Sequence, residues 1–220
     1  MKSISAIFLG FLLTATTLAS SQAHAQAAAS PASESAPDAL AKRVTDEVLA
    51  VLRADKDIQA GNTKKLLDVV EAKILPHFNF PHMTRLAVGA PWRQASPAQQ
   101  QSLINEFRAL LVNTYTTAFS QYRDQVIEYR PFKMAPADTE VVVRSLIKQK
   151  TGADPIDINY SMEKVDGTWK VYDVVIAGVS LVQNYRSSFA SEIQKSGVDG
   201  LIATLSTKNK TLAQQQGTRK

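Results

Sequence analysis

Side chains able to do chemistry are scarce in this chain, and the scarcity limits what it can be. None of its 220 residues is cysteine. Thiolate nucleophiles, disulfide exchange and thiolate-bound zinc are therefore excluded. Beyond residue 25 the only histidines are His77 and His82. They lie five apart across Pro81, off the i, i+4 spacing of a helical ligand pair, with no carboxylate within three residues. Packing or solvation is the expected role of both, and no metal or other cofactor is expected. No GxSxG, P-loop or GxGxxG occurs, so a serine elbow and nucleotide-driven work are not visible either.

Asp173 is the one acid placed to act as a base. Strand parity puts it on a face with Trp169, Val171 and Val175, where apolar neighbours would raise a carboxylate's pKa. An enzyme built on it would pair Asp173 with Tyr172 or Tyr160 and isomerise or hydrate a small apolar substrate. The competing expectation is structural: Asp173 accepts backbone amides at the start of the next helix. A single acid without a partner makes a poor active site, which favours the structural role.

The segment that must position Asp173 reads DGTWKVYDVVIAGVSLVQNYR over residues 166–186. Asp166-Gly167 suits the positive φ angles of a two-residue hairpin turn. The β-branched and aromatic run over 169–176 predicts a strand. Gly178 breaks it, and Ser180 with Gln183 predicts a capping box for a following helix.

The rest of the chain supplies more elements of both kinds. Apolar spacing at Leu40, Val44, Val48, Val51 and Leu52 predicts a helix, and Gly61-Asn62 ends it and caps another through Ile74, stopped by Pro76. A short helix is expected over 81–88. Ser96, Pro97 and Gln99 then open a helix of about seven turns, whose apolar positions run from Leu103 and Phe107 to Ala118, Phe119 and Tyr122. A face that long needs a large partner, and the expected partner is a four-stranded antiparallel meander. Its first strand, over 126–134, carries Pro131 and reads as an edge. The second turns Val141, Val143 and Ile147 inward, against Glu140, Arg144 and Lys148. The third turns Ile156, Ile158, Tyr160 and Met162 inward, and the fourth spans 169–176. Helices over 181–195 and 201–205 close the chain, with Gly197 between them. The predicted class is α+β, a single domain over residues 38–206.

The ends carry other signals. Lys2, the apolar run over 4–18 and Ala23-His24-Ala25 predict a cleavable export signal over residues 1–25, hence an exported chain. Residues 26–37 read as a flexible leader. Without Lys2 the chain holds 24 basic and 20 acidic residues, and the four cations within residues 207–220 account for the whole net +4. The folded body is then neutral, which argues against nucleic acid as a partner. The basic stretch over 207–220 reads as a disordered tail.

Several blocks resemble the MlaC family, periplasmic phospholipid-binding proteins also called toluene-tolerance auxiliary proteins. One runs Ile74-Leu75-Pro76-His77-Phe78-Asn79-Phe80 and on through Met83, Leu86, Gly89 and Trp92 to Ser96-Pro97. A second is Phe107-Arg108-Ala109-Leu110-Leu111-Val112 with Thr114-Tyr115 and Tyr122. A third is Gly167-Thr168-Trp169-Lys170-Val171-Tyr172-Asp173-Val174 with Gly178-Val179-Ser180-Leu181-Val182, and Gly197-Val198-Asp199-Gly200-Leu201 adds a fourth. The resemblance implies a fold that opens around an apolar pocket, with acyl chains inside and the head group outside. It implies a ferry, without catalysis, between an outer-membrane lipoprotein complex and an inner-membrane ABC transporter bearing an MCE-domain protein. A monomer is expected. The segment over 150–153 varies in length among such proteins, and no partner contact is assigned to it.

Physical chemistry sets what such a carrier needs. Two sixteen-carbon tails represent roughly 20–25 kcal/mol of apolar transfer. No surface groove offsets that, so the helices and the sheet must stay apart around a dry pocket. The expected lining is Leu110, Leu111, Val143, Ile147, Ile158, Tyr160, Val171, Val179 and Val182. Arg144 and Lys148, on the opposite strand face, are expected in solvent. The remaining alternative is an exported adaptor with a filled core.

Overall fold

A computed structural model of the chain describes residues 36–120, 125–149 and 154–218. The export signal, nearly all of the leader, Tyr122, the 150–153 linker and the last two residues of the tail lie outside the described residues. The side chains of Ala118 and Phe119 are likewise outside them.

Helix α1 (Pro37–Ala54) starts with proline in its first turn and ends at Asp55. The Asp55 carboxylate accepts from the N–H groups of Asp57 and Ile58 and so caps the one-turn helix α2 (Lys56–Gln59). Asn62 caps α3 (Thr63–Val69) by accepting from Lys65 N–H. That helix widens into a π turn (Val70–Ile74) and then tightens to a 3₁₀ turn (Leu75–His77) containing Pro76. Asn79 caps α4 (Phe80–Val88). Ser96 and Gln99 form the full reciprocal box before α5 (Pro97–Ser120): Ser96 N–H donates to Gln99 Oε1 at 2.9 Å, and Gln99 N–H donates to Ser96 Oγ at 3.2 Å.

The sheet is an antiparallel meander in the order β1-β2-β3-β4-β5, with five strands where four were expected. β1 (Val126–Tyr129) stops short of Pro131 and forms one edge. β2 (Glu140–Lys148), β3 (Ile156–Val165) and β4 (Thr168–Ile176) make the body, and Asp166-Gly167 turns with φ 48° and 81°. The added strand, β5 (Val179–Ser180), arises because Ala177-Gly178 repeats that turn at φ 48° and 83°, folding the chain back onto Val175 and Ile176. Elsewhere along β4 the other edge is covered by the residues after the 3₁₀ turn. Phe78 bridges Val171 in parallel, and Asn79 N–H donates to Val171 C=O at 2.8 Å.

Two expectations about packing need correction. The main partner of α5 is not the sheet but α4 and α6 (Gln183–Thr218), where Phe107 meets Tyr185 and Phe189 edge-on, each at 5.3 Å. Nor do residues 207–218 form a disordered tail. Helix α6 is kinked at Gly197 (φ 72°), then continues to Thr218, and Asn209 Nδ2 donates to Glu106 C=O at 2.9 Å.

Among the described residues the buried apolar side chains fall into three clusters rather than one. Phe107, Leu110, Val182 and Phe189 centre the helical cluster, and Val143, Met162, Trp169 and Val171 the sheet cluster. Val48, Leu52, Ile58 and Leu66 centre a third under α1–α3.

Candidate functional site

A cavity of about 410 Å³ opens where these three clusters face one another. That is well inside the range of small-molecule sites. Its walls come from α1 (Leu40, Val44, Val48), the turns before α4 (Ile74, Phe78), α4 (Phe80, Met83), α5 (Leu111, Tyr115) and the inward face of the sheet (Ile158, Val174, Ile176). Among the described residues no Asp, Glu, Lys or Arg lines it.

Its few polar groups are mostly paired and neutral. Thr45 Oγ1 and the Tyr129 hydroxyl lie 2.8 Å apart, and the Tyr129 hydroxyl donates to Ala41 C=O at 3.1 Å. Burial pushes the pKa values of Tyr129 and Tyr160 up, and that of Tyr115 up to about 12. Thr116 Oγ1 is buried in this wall without a hydrogen-bond partner among the described residues. Hydrocarbon suits such a lining, and a charged group does not.

Of the nine residues expected to line the pocket, Leu111, Ile147, Ile158, Tyr160 and Val171 border the cavity. Leu110 and Val182 are buried elsewhere, in the helical cluster, because α5 turns Leu110 toward α6 rather than the sheet. Val143 packs inside the sheet cluster. Val179 is 55% exposed, since the tight turn before it swings β5 outward. Contributions from α1, the turns before α4 and α4 itself were missed. The i, i+4 stripe of Leu40, Val44 and Val48 was their available signal.

Asp173 does not face the cavity. At Tyr172 β4 carries one residue more than β3 between the pairs Ser161–Asp173 and Met162–Val171, and this bulge reverses the parity. Val174 and Ile176 turn inward in place of Asp173 and Val175. The Asp173 carboxylate accepts from Val174 N–H at 2.8 Å, Val182 N–H at 3.2 Å and Ser180 Oγ–H at 2.6 Å. Ser180 Oγ accepts in turn from Gln183 N–H at 2.9 Å. The structural role is the one realised. Tyr172, its supposed acid–base partner, stacks on His82 at 4.6 Å. Among the described residues no cluster of three potential metal ligands occurs.

The sequence profile of the MlaC protein family matches residues 42–207, which include all of the cavity lining except Leu40 and Ala41. The chain belongs to the MlaC family. It is 24% identical to the intermembrane phospholipid transport system binding protein MlaC of Haemophilus influenzae, across 90% of this chain and 87% of that one. Identity to the toluene tolerance protein Ttg2D of Pseudomonas putida is also 24%, across 74% and 75% of the two chains. A phospholipid-binding protein from Ralstonia solanacearum, solved in complex with a phospholipid, is 40% identical with a TM-score of 0.74 and covers 80% of this chain and 98% of that one. Three of the four blocks that carry the resemblance border the void. The block around Phe78 docks on β4, the described residues of the second lie in α5, and the third holds β4, β5 and the start of α6.

Proposed function

We propose that this chain is a periplasmic carrier that holds phospholipid acyl chains in the cavity between its helices and its sheet. The observation that carries the reading is the void itself: an uncharged hydrocarbon wall in a chain whose relatives include a protein solved with phospholipid bound. Among the described residues no helix is long and apolar enough to cross a membrane, so the carrier is read as leaving the bilayer with its cargo. Its expected partners are an outer-membrane lipoprotein complex and an inner-membrane ABC transporter with an MCE-domain protein. Exchange with a bilayer lies near balance, because the tails are in hydrocarbon on both sides, and direction comes from those partners. Leu111, Ile147, Ile158, Tyr160 and Val171 are the residues proposed to touch the acyl chains.

Native mass spectrometry of the chain purified from a bacterial periplasm without detergent tests this reading, with solvent extraction of the same sample. The expected result is a mass increment matching diacyl phospholipid, lost in Ile158→Asp while the circular dichroism spectrum holds. A wild-type protein that stays lipid-free after incubation with phospholipid vesicles would sink the reading.

A further inference from the structure

We propose that His77, Lys170 and Arg43 form a subsite at the cavity mouth that takes the phosphodiester group of the bound lipid. The inference rests on the phospholipid reading above and adds to it the place and the chemistry of head-group recognition.

His77 marks the mouth, because it borders the cavity and is also partly exposed to solvent. Among the described residues neither of its ring nitrogens has a hydrogen-bond partner, so a donor stands unused where hydrocarbon gives way to water. Backbone pairing fixes its place: the neighbouring Phe78 bridges Val171, which sets His77 beside Lys170. Lys170 Nζ donates to Pro76 C=O at 2.7 Å. No carboxylate pairs with Lys170 among the described residues. Its cross-strand neighbour Glu163 is engaged instead by Asn79 Nδ2 at 2.8 Å and His82 Nδ1 at 2.6 Å.

From the other side α1 brings Arg43, next to the cavity-lining Val44. Arg43 pairs with Glu47 at 3.0 Å, and Glu47 also meets Lys73 at 3.4 Å. Among the described residues Arg43, Lys73 and Lys170 thus stand against Glu47, a net +2 beside an opening lined by no Asp, Glu, Lys or Arg. The proximity is felt at His77, whose pKa is lowered first by burial, then by Arg43 and Lys170, with Glu47 opposing. A free anion would gain nothing from the void, whereas a phosphodiester carries two chains that belong in it. Guanidinium and ammonium donors suit its oxygens.

The test uses the delipidated chain and two monomeric short-chain ligands with the same acyl groups, dioctanoyl phosphatidylglycerol and dioctanoylglycerol. Below their micelle concentrations no membrane surface is present. Calorimetry of the wild type is expected to give about tenfold tighter binding of the phospholipid, the size expected from two charge-assisted contacts at a partly exposed site. Arg43→Gln with Lys170→Gln should erase that preference and leave dioctanoylglycerol binding unchanged, while Arg43→Lys with Lys170→Arg keeps most of it. A preference that survives the double glutamine variant overturns the subsite, as does equal weakening of both ligands. Inorganic phosphate bound as tightly as the phospholipid would also overturn it, making the cluster a free-anion site. A wild type that binds neither lipid would instead refute the carrier reading, an outcome separate from loss of the preference alone.

Discussion

Asp173→Ala would remove three hydrogen bonds at once, those from Val174 N–H, Val182 N–H and Ser180 Oγ–H. Bonds to a charged acceptor are among the stronger ones, and Val182 N–H would be left inside a buried cluster without its partner. Urea titration of the variant is expected to lose about 2–3 kcal/mol. A loss below about 0.5 kcal/mol, the range of neutral surface changes, would undo the structural assignment. His77 carries a prediction of the opposite kind, in pH. Its folded pKa lies below the ordinary 6.5, with burial the largest cause. The unfolded chain therefore takes up the proton first. Stability contributed by neutral His77 is fully present above pH 6.5 and declines as pH falls from there toward the folded value. An NMR titration of the ring in the lipid-free protein should give a midpoint below 6.5. Bound phosphodiester would raise that midpoint, since a nearby anion favours imidazolium.

At the scale of elements, caps and turns are legible because their chemistry is local. Ser96 with Gln99, Asn62, and Asp166-Gly167 each do in the fold what their types predict. Strand parity in β2 and β3 is equally local: Val143 and Met162 are buried while Arg144 and Glu140 are exposed. Parity in β4 fails after Val171, since one inserted residue flips every later side chain and leaves no mark in composition. The choice of α6 over the sheet as partner of α5 is a long-range decision, as is the docking of Asn209 on Glu106. Local pattern carries neither. The misplaced Val179 gives a test of the corrected picture. Because β5 exposes it at the sheet edge, Val179→Asp is expected to leave lipid content unchanged in solvent extracts. A lipid-free variant would mean that this turn closes over the cavity in solution.

For the whole molecule the decisive feature is the separation of three apolar clusters, and it was the least legible. Leu111 and Ile158 line a void while Leu110 and Val143 fill a core, yet all four are aliphatic side chains of similar hydropathy. Composition cannot separate hydrocarbon that meets protein from hydrocarbon that waits for a ligand. The family resemblance, not periodicity, pointed to a pocket. Energetics make the void costly: at about 24 cal/mol per Å³, a space of 410 Å³ forfeits on the order of 10 kcal/mol of packing. That rivals the whole net stability of an ordinary domain, about 5–15 kcal/mol. The lipid-free protein should therefore melt well below the loaded one, since a ligand that binds only the folded state stabilises it in proportion to its affinity. Filling the void from within should reproduce part of that gain. Ile147 borders the cavity from β2, and Ile147→Trp would place a larger apolar ring in the empty space. Calorimetric melting of the lipid-free variant is expected to rise by several degrees, about 1–2 kcal/mol of restored packing, while the lipid retained per protein falls. A variant that melts lower and still carries a full lipid load would mean that the wall around Ile147 is already packed.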